Sequence, residues 1–198
     1  MDLFSPIISQ NVAINGLPNR TIKSALVSVI PKKSLFYDQG YLEQQFQEVV
    51  LMRILFKQSL VIFWFLWWAF AFLTDFIGGL ELLGVTSTPW FDGHNFPFLQ
   101  KTLAQFGAST AVDVIIFVGI ILWLFLSTLL FAFASFTPYS RTDRWQKRVD
   151  AAFIVSLGLW LAFFLADQTV MNFDLEENHM VQGGFQLLCY LTIHLLPD

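Results

Sequence analysis

Charged residues and cysteines are both scarce in this chain. Only 13% of its 198 residues are charged, against about 25% in a typical soluble domain, whereas 56% are hydrophobic. The single cysteine, Cys189, excludes an internal disulfide and a zinc site built from paired cysteines. The 11 Lys and Arg are outnumbered by 15 Asp and Glu, so the chain lacks the basic excess that binding to nucleic acid requires. This composition predicts a membrane protein of one domain that does not bind nucleic acid.

Catalytic motifs are also missing. The sequence has no glycine-rich phosphate-binding loop, no nucleophile elbow, and no Ser, His and Asp at a spacing typical of a triad. We therefore do not expect an enzyme.

The first 50 residues are mixed and polar, which does not fit a signal peptide. Their basic residues among Ser and Thr leave an organellar presequence as the weaker alternative.

Four apolar segments of the sequence predict membrane-spanning helices. About 20 residues of helix cross a bilayer core of roughly 30 Å. The second segment is the clearest, because residues 114–136 contain no charge, and the fourth is short and includes two glutamines and a histidine. We predict an all-α polytopic membrane protein whose residues 58–198 form a bundle of four transmembrane helices. The predicted spans are about 58–79, 113–136, 151–173 and 180–196.

The first 57 residues have a different character. Three prolines and several Asn, Ser and Gly in residues 1–40 predict an irregular arm, in which residues 21–30 could form a short basic helix at the membrane surface. From Tyr41 onward, the apolar spacing predicts an amphipathic helix that continues into the first span.

The basic residues indicate the orientation in the membrane. Six of them precede the first span, four lie between the second and third spans, and Lys101 lies between the first and second. Short loops rich in Lys and Arg stay on the cytoplasmic side. Both termini are therefore predicted inside, in the bacterial inner membrane or, as the alternative, the mitochondrial inner membrane.

An acidic stretch before the fourth span contains the most specific candidate for a metal site. Glu176 and His179, three residues apart, can present a carboxylate and an imidazole to one ion if they lie on a helix. Asp167, near the outer end of the third span, could add a second carboxylate. A solvated acidic loop at the N-terminus of the fourth helix explains the same residues without an ion. We keep Asp167, Glu176 and His179 as candidate ligands of a divalent metal.

Aromatic residues are concentrated in the first span. Trp64, Trp67 and Trp68 occur with four phenylalanines within ten residues and would lie on every face of a helix. A site for a dedicated cofactor would be one-sided, so we predict that these tryptophans contact lipids and partner helices. No cofactor is expected beyond a bound lipid or quinone.

Several segments carry a resemblance to known proteins. They are the apolar AFIVSLGLWLAFFLAD of residues 152–167, the acidic run to His179, the terminal HLLPD, and the FLTD that ends in Asp75. Over about residues 58–198 the chain resembles a bacterial group of predicted small four-span integral membrane proteins of unknown function. The resemblance implies an inner-membrane bundle and no activity. Gln168 stands where that group has an acidic residue, which weakens the metal site.

Two functions fit these features. The first is a non-catalytic accessory or structural subunit of a larger membrane complex, for example one of electron transport. The second is a small carrier or ion-responsive membrane protein whose outer acidic cluster binds a cation. The expected partners are membrane lipids and other membrane-protein subunits.

Overall fold

The computed structural model describes residues 32–86, 95–139 and 142–197, with side chains from Gly40 onward. Its described part contains five α-helices and no strand, so the predicted all-α class is confirmed. The helices, in chain order, are α1 (Lys32–Leu82), α2 (Asn95–Ala104), α3 (Thr110–Ser135), α4 (Thr142–Val170) and α5 (Phe173–Leu195).

Three of the described helices are long and apolar enough to cross a membrane. They are the Gly40–Leu82 part of α1, the whole of α3 and the whole of α4. The fourth predicted span corresponds to α5, which has 23 residues but begins with Asp174 and Glu176 in its first turn and contains several amides, so it is less apolar. The membrane class and three spans are therefore supported by the structure, and the fourth span stays a prediction.

The chain divides into two compact units, Met1–Val49 and Val50–Asp198. Residues 40–49 are all exposed, whereas Val50 and Arg53 are partly covered. The boundary predicted at residue 57 stays a prediction. As predicted, the helix that contains Tyr41 continues without a break into the first span. The predicted arm and the helix at 21–30 lie outside the described residues.

The core of the second unit is built around α4, which packs against both α3 and α5. Val149, Ala152, Phe153, Ser156 and Trp160 are buried. They recur every three or four residues and so form one face of the helix. Two of them are small, and small side chains let neighbouring helices approach closely in a membrane.

Helix α1 contributes an aromatic stripe to the same core. Val61, Trp64 and Trp68 are at most 1% exposed, and the ring of Trp68 lies 5.2 Å from that of Trp160. The indole N–H groups of Trp64 and Trp68 have no hydrogen-bond partner in the described part of the chain. The tryptophans of the first span therefore differ in burial, since Trp64 and Trp68 lie in the core and Trp67 remains exposed.

A polar contact holds α1 near its middle. Gln58 donates a hydrogen bond from Nε2 to the backbone oxygen of Ser135 at 2.6 Å, and its Oε1 accepts one from the indole of Trp145 at 2.9 Å. One amide thereby links α1 to the end of α3 and the start of α4.

Candidate functional site: a polar seam between α4 and α5

A two-residue turn makes α4 and α5 neighbours. Met171 has a φ of 54°, the left-handed conformation that reverses the chain, and the side-chain oxygen of Asn172 accepts a hydrogen bond from the backbone N–H of Leu175 at 3.3 Å. Helices joined by a short loop run antiparallel, so residues at similar distances from the turn come together. Asp167 and His179 meet in this way.

Asp167 and His179, close to the turn between α4 and α5, form one pair of the seam, which we call the outer pair because of the predicted orientation; the pair far from the turn is called the inner pair. His179 Nδ1 lies 2.5 Å from Asp167 Oδ2, and the carboxylate belongs to a residue that is only 5% exposed. The imidazole is stacked on Phe163, with ring centroids 4.9 Å apart and planes 21° apart. A buried carboxylate that contacts an imidazole can orient the ring and pair with it when it is protonated.

Glu176, the third candidate metal ligand, lies elsewhere. Its Oε1 accepts a hydrogen bond from Gln168 Nε2 on an exposed surface. Within the residues that the structure describes, no three His, Cys, Asp or Glu side chains are grouped so that they could hold a metal ion. The structure thus joins Asp167 to His179, and the metal site remains a prediction.

Trp160, Gln186 and Ser156 form a buried triad in the middle of the seam. Trp160 Nε1 donates to Gln186 Oε1 at 2.7 Å, and Gln186 Nε2 donates to Ser156 Oγ at 2.8 Å. Ser156 Oγ in turn donates to the backbone oxygen of Ala152 at 2.8 Å. Gln186 is fully buried, and a buried amide that keeps hydrogen bonds avoids a large desolvation penalty.

Gly183 allows this close approach of the two helices. A Cβ atom added there would lie 3.1 Å from Cβ of Trp160, whereas a Cβ added to Gly184 would meet nothing within 4 Å. The glycine on the buried side therefore determines how near Trp160 comes to Gln186.

Asp150 and His194 form the inner pair. His194 Nε2 lies 2.9 Å from Asp150 Oδ1, which also accepts a hydrogen bond from the hydroxyl of Tyr190 at 3.2 Å. Gln146 Nε2 lies 3.4 Å from His194 Nδ1. The side chains of Asp150 and His194 are 33% and 29% exposed, so water reaches this pair more easily than the outer one.

The polar seam, defined by these two pairs and the triad, places an imidazole beside a carboxylate near each end of α5. The polar role of Gln186 is predictable, since an amide in an apolar span usually bonds a neighbouring helix. The sequence does not indicate the contact of Asp150 with His194, because Asp150 directly precedes the third predicted span and looks like part of a charged loop.

Two further acids lie near the ends of predicted spans and have separate surroundings: Asp75 in the first and Asp113 in the second. Asp75 accepts a hydrogen bond from Asn95, which begins α2. Asp113, in the first turn of α3, is 3% exposed, and its Oδ1 has no hydrogen-bond partner in the described segments. Neither acid adds a ligand to Asp167 and His179 in the geometry described.

An aromatic patch lies where α1 and α5 meet, and consists of Phe63, Trp64, Trp67 and Phe185. The ring of Phe185 is 6.1 Å from that of Phe63 and 5.8 Å from that of Trp64. Phe63, Trp67 and Phe185 are 43%, 39% and 50% exposed. Of the three tryptophans predicted to contact partners or lipid, Trp64 and Trp68 are buried inside the chain, and Trp67 is accessible.

Comparison of the chain with protein-family models, with characterised proteins and with solved structures finds no match. The resemblance to the bacterial group of small four-span proteins thus stays a prediction, and the function has to be argued from the geometry of the site.

Proposed function

We propose that this chain is a non-catalytic accessory subunit that packs against a larger integral membrane partner. The observation that carries the proposal is the aromatic patch, which α1 and α5 build together. Trp64 anchors the patch in the core, while the neighbouring rings of Phe63, Trp67 and Phe185 stay open to the surroundings. The partner that fits this surface is a transmembrane helix.

The physical argument rests on what drives association in lipid. Lipid tails are as apolar as the helices, so helices associate through close packing and interhelical hydrogen bonds. Aromatic rings supply a large and rigid contact area with few rotatable bonds. Near Phe185 on the same helix, Gln182 Nε2 donates to Asn178 Oδ1 at 2.8 Å on an exposed surface. A polar pair of this kind gains from a partner that offers further hydrogen bonds.

The test is purification of the full chain from its native membrane in a mild detergent. We expect a stable assembly larger than a monomer or homodimer, and identification of the partner would name the pathway. The double variant Trp67→Ala, Phe185→Ala should lose the partner, because it removes two exposed rings of the patch. Recovery of the wild-type chain only as a monomer or simple homodimer would contradict the proposal.

A matched control separates loss of the patch from loss of the fold. Leu122 and Leu161 are 61% and 58% exposed on α3 and α4, two helices that contribute no ring to the aromatic patch. The variant Leu122→Ala, Leu161→Ala should keep the partner. Thermal unfolding of both double variants should give midpoints close to that of the wild-type chain, because all four side chains are exposed.

We also propose the membrane arrangement that this function needs, with α5 as a fourth span and both termini on the cytoplasmic side of a bacterial inner membrane. The support is the charge distribution, which would put ten Lys and Arg inside and only Lys101 outside. Reporter fusions after residues 45, 95, 145 and 198 should read inside, outside, inside and inside. An inside signal at residue 95 would reverse the orientation.

A second candidate function, an ion-responsive membrane protein or small carrier, is favoured by the outer pair. Asp167 is mostly buried and touches His179, and this pair can contribute two ligands to a cation. The test is metal analysis of the purified chain beside the double variant Asp167→Asn, His179→Ala. Absence of stoichiometric metal, together with a thermal stability that added divalent cation leaves unchanged in both proteins, would exclude the carrier.

A further inference from the structure

A cavity of about 440 Å³ lies between the end of α3 and the first turns of α4. Its walls have two chemical characters. One wall is apolar, formed by Leu130, Phe133 and Ala151, and the other contains Asp143 and three basic side chains, Arg144, Lys147 and Arg148.

Arg148 is held in place at the side of the cavity. Its Nη1 donates to Thr137 Oγ1 at 2.6 Å and to the backbone oxygen of Phe133 at 3.2 Å, and its guanidinium carbon lies 5.8 Å from the centre of the Phe133 ring. Among the described residues, the other N–H groups of the guanidinium have no further acceptor, and arginine has five donors. A preformed cationic group therefore borders the apolar wall.

Arg144 and Lys147 complete the basic wall. They lie four residues and one residue before Arg148, so Arg144 and Arg148 are on one face of α4 with Lys147 beside them. Three cations against one carboxylate leave an excess of positive charge. The start of a helix also favours an anion through its backbone dipole.

We propose that this cavity binds one phospholipid with a negatively charged headgroup. Its phosphate would lie against Arg144, Lys147 and Arg148, since guanidinium groups bind phosphate oxygens in a bidentate way. The upper part of an acyl chain would cover the apolar wall. Basic pockets between transmembrane helices bind anionic headgroups in this manner, and a zwitterionic lipid would bring an ammonium group into a site that is already cationic.

The experiment uses the full chain purified in a neutral detergent and measures the midpoint of thermal unfolding. The probes are dioleoyl phosphatidylglycerol, dioleoyl phosphatidylcholine with the same acyl chains, and inorganic phosphate. We expect phosphatidylglycerol to raise the midpoint in a saturable way, because a ligand that binds only the folded protein stabilises it. Phosphatidylcholine and inorganic phosphate should each give little change.

The double variant Arg144→Gln, Lys147→Gln removes two charges and leaves the bonds of Arg148 intact. We expect its apparent affinity for phosphatidylglycerol to fall about thirtyfold, from the typical contribution of basic side chains near an anionic membrane surface. The control Lys101→Gln removes one positive charge in α2, outside this cavity, and should respond to phosphatidylglycerol like the wild-type chain.

A second variant tests the apolar wall without a change of charge. Ala151→Phe places a ring in the cavity at an exposed position and should abolish the response to phosphatidylglycerol even if the charge variant is too unstable to measure. Equal stabilisation by phosphatidylcholine, a full effect of inorganic phosphate alone, or an undiminished response in Ala151→Phe would each overturn the proposal. The outcome is independent of whether a protein partner is found.

Discussion

The α4–α5 seam and the aromatic stripe of α1 cover the same core by different chemistry. In the seam, both polar atoms of the Gln186 amide are hydrogen-bonded, Oε1 to Trp160 and Nε2 to Ser156. An Asp–His pair lies toward each end of the seam. The stripe buries Trp64 and Trp68 just as deeply, but their N–H groups find no acceptor in the described segments.

Hydrogen bonds and aromatic packing specify the register of two helices in lipid to different degrees. Hydrogen bonds have narrow ranges of distance and angle, so a buried triad fixes how far one helix is shifted along the other. Aromatic packing supplies contact area and tolerates small shifts, because rings interact over centroid distances of about 4.5–7 Å. We therefore expect the seam to be sensitive to single changes and the stripe to be more tolerant.

The largest effect is expected from Gly183→Val. A Cβ atom at this position would lie 3.1 Å from Cβ of Trp160, and neither atom can move without a shift of its helix. The added side chain should lower the free energy of unfolding by about 3 kcal/mol, as overpacking does in other cores. Thermal or denaturant unfolding in detergent measures this change.

Gly184→Val is the matched control for that substitution. The same side chain is added one residue along α5, where nothing lies within 4 Å. Its cost should stay within about 0.5 kcal/mol, since the helix itself tolerates valine at least as well as glycine. Equal losses at the two glycines would mean that α4 and α5 are not packed as closely as described.

The next effect is expected from Gln186→Leu, which keeps a similar volume but removes the amide. Trp160 Nε1 loses its acceptor, and Ser156 loses the donor of the hydrogen bond to its Oγ. Leaving such buried groups unpaired costs about 1–3 kcal/mol, which should appear as a lower free energy of unfolding.

Gln182→Leu is the corresponding control on the same helix. Gln182 bonds along α5 to Asn178 and to no other side chain of the described segments, at a partly exposed position, so its loss should leave the free energy of unfolding nearly unchanged. If Gln186→Leu is as mild as Gln182→Leu, the triad does not hold the two helices together.

A smaller effect separates the seam from the stripe directly. Trp160→Phe and Trp68→Phe remove the same atoms from two rings that lie 5.2 Å apart, so their cavity costs should be similar. Of the two substitutions, only Trp160→Phe removes a hydrogen bond. We therefore expect the free energy of unfolding of the Trp160 variant to be about 1 kcal/mol lower than that of the Trp68 variant. A larger loss at Trp68 would show that its N–H has a partner.

These contrasts also mark what the sequence could predict. Apolar runs with helical periodicity were enough for the all-α class and for three spans, because lipid imposes their length and composition. The triad was only partly foreseeable, since the span pattern shows that Gln186 needs a partner but not that the partner is Trp160. Pairing depends on the antiparallel placement of α5, which the turn at Met171 and the close contact at Gly183 determine.

The candidate site was less predictable than the fold. Spacing on one helix suggested that Glu176 and His179 act together, yet Glu176 instead bonds Gln168 across the turn. Contacts between helices thus override the local spacing. The same limitation applies to the tryptophans, because a helix covered with aromatic residues does not reveal which of them face the core. Burial of Trp64 and exposure of Trp67 follow from where α4 and α5 lie.

The smallest effect is expected at the inner end of the seam, from Asp150→Asn. The carboxylate of Asp150 contacts His194 Nε2 at 2.9 Å and accepts from the Tyr190 hydroxyl at 3.2 Å, and an amide can keep part of this arrangement through its own oxygen. About a third of the Asp150 side chain is exposed, so water screens the pair. Ion pairs at such positions contribute about 0–1 kcal/mol, and we expect a loss in the lower half of that range.

Asp167→Asn provides the comparison with the outer end. Asp167 is 5% exposed and its contact with His179 is 2.5 Å, so the same chemical change should cost more there than at Asp150. The free energies of unfolding of the two single variants, measured in one detergent at one pH, give the difference. If Asp150→Asn lowers the free energy of unfolding more than Asp167→Asn does, the more exposed pair contributes more to stability. Burial would then not determine which of the two Asp–His pairs is the stronger.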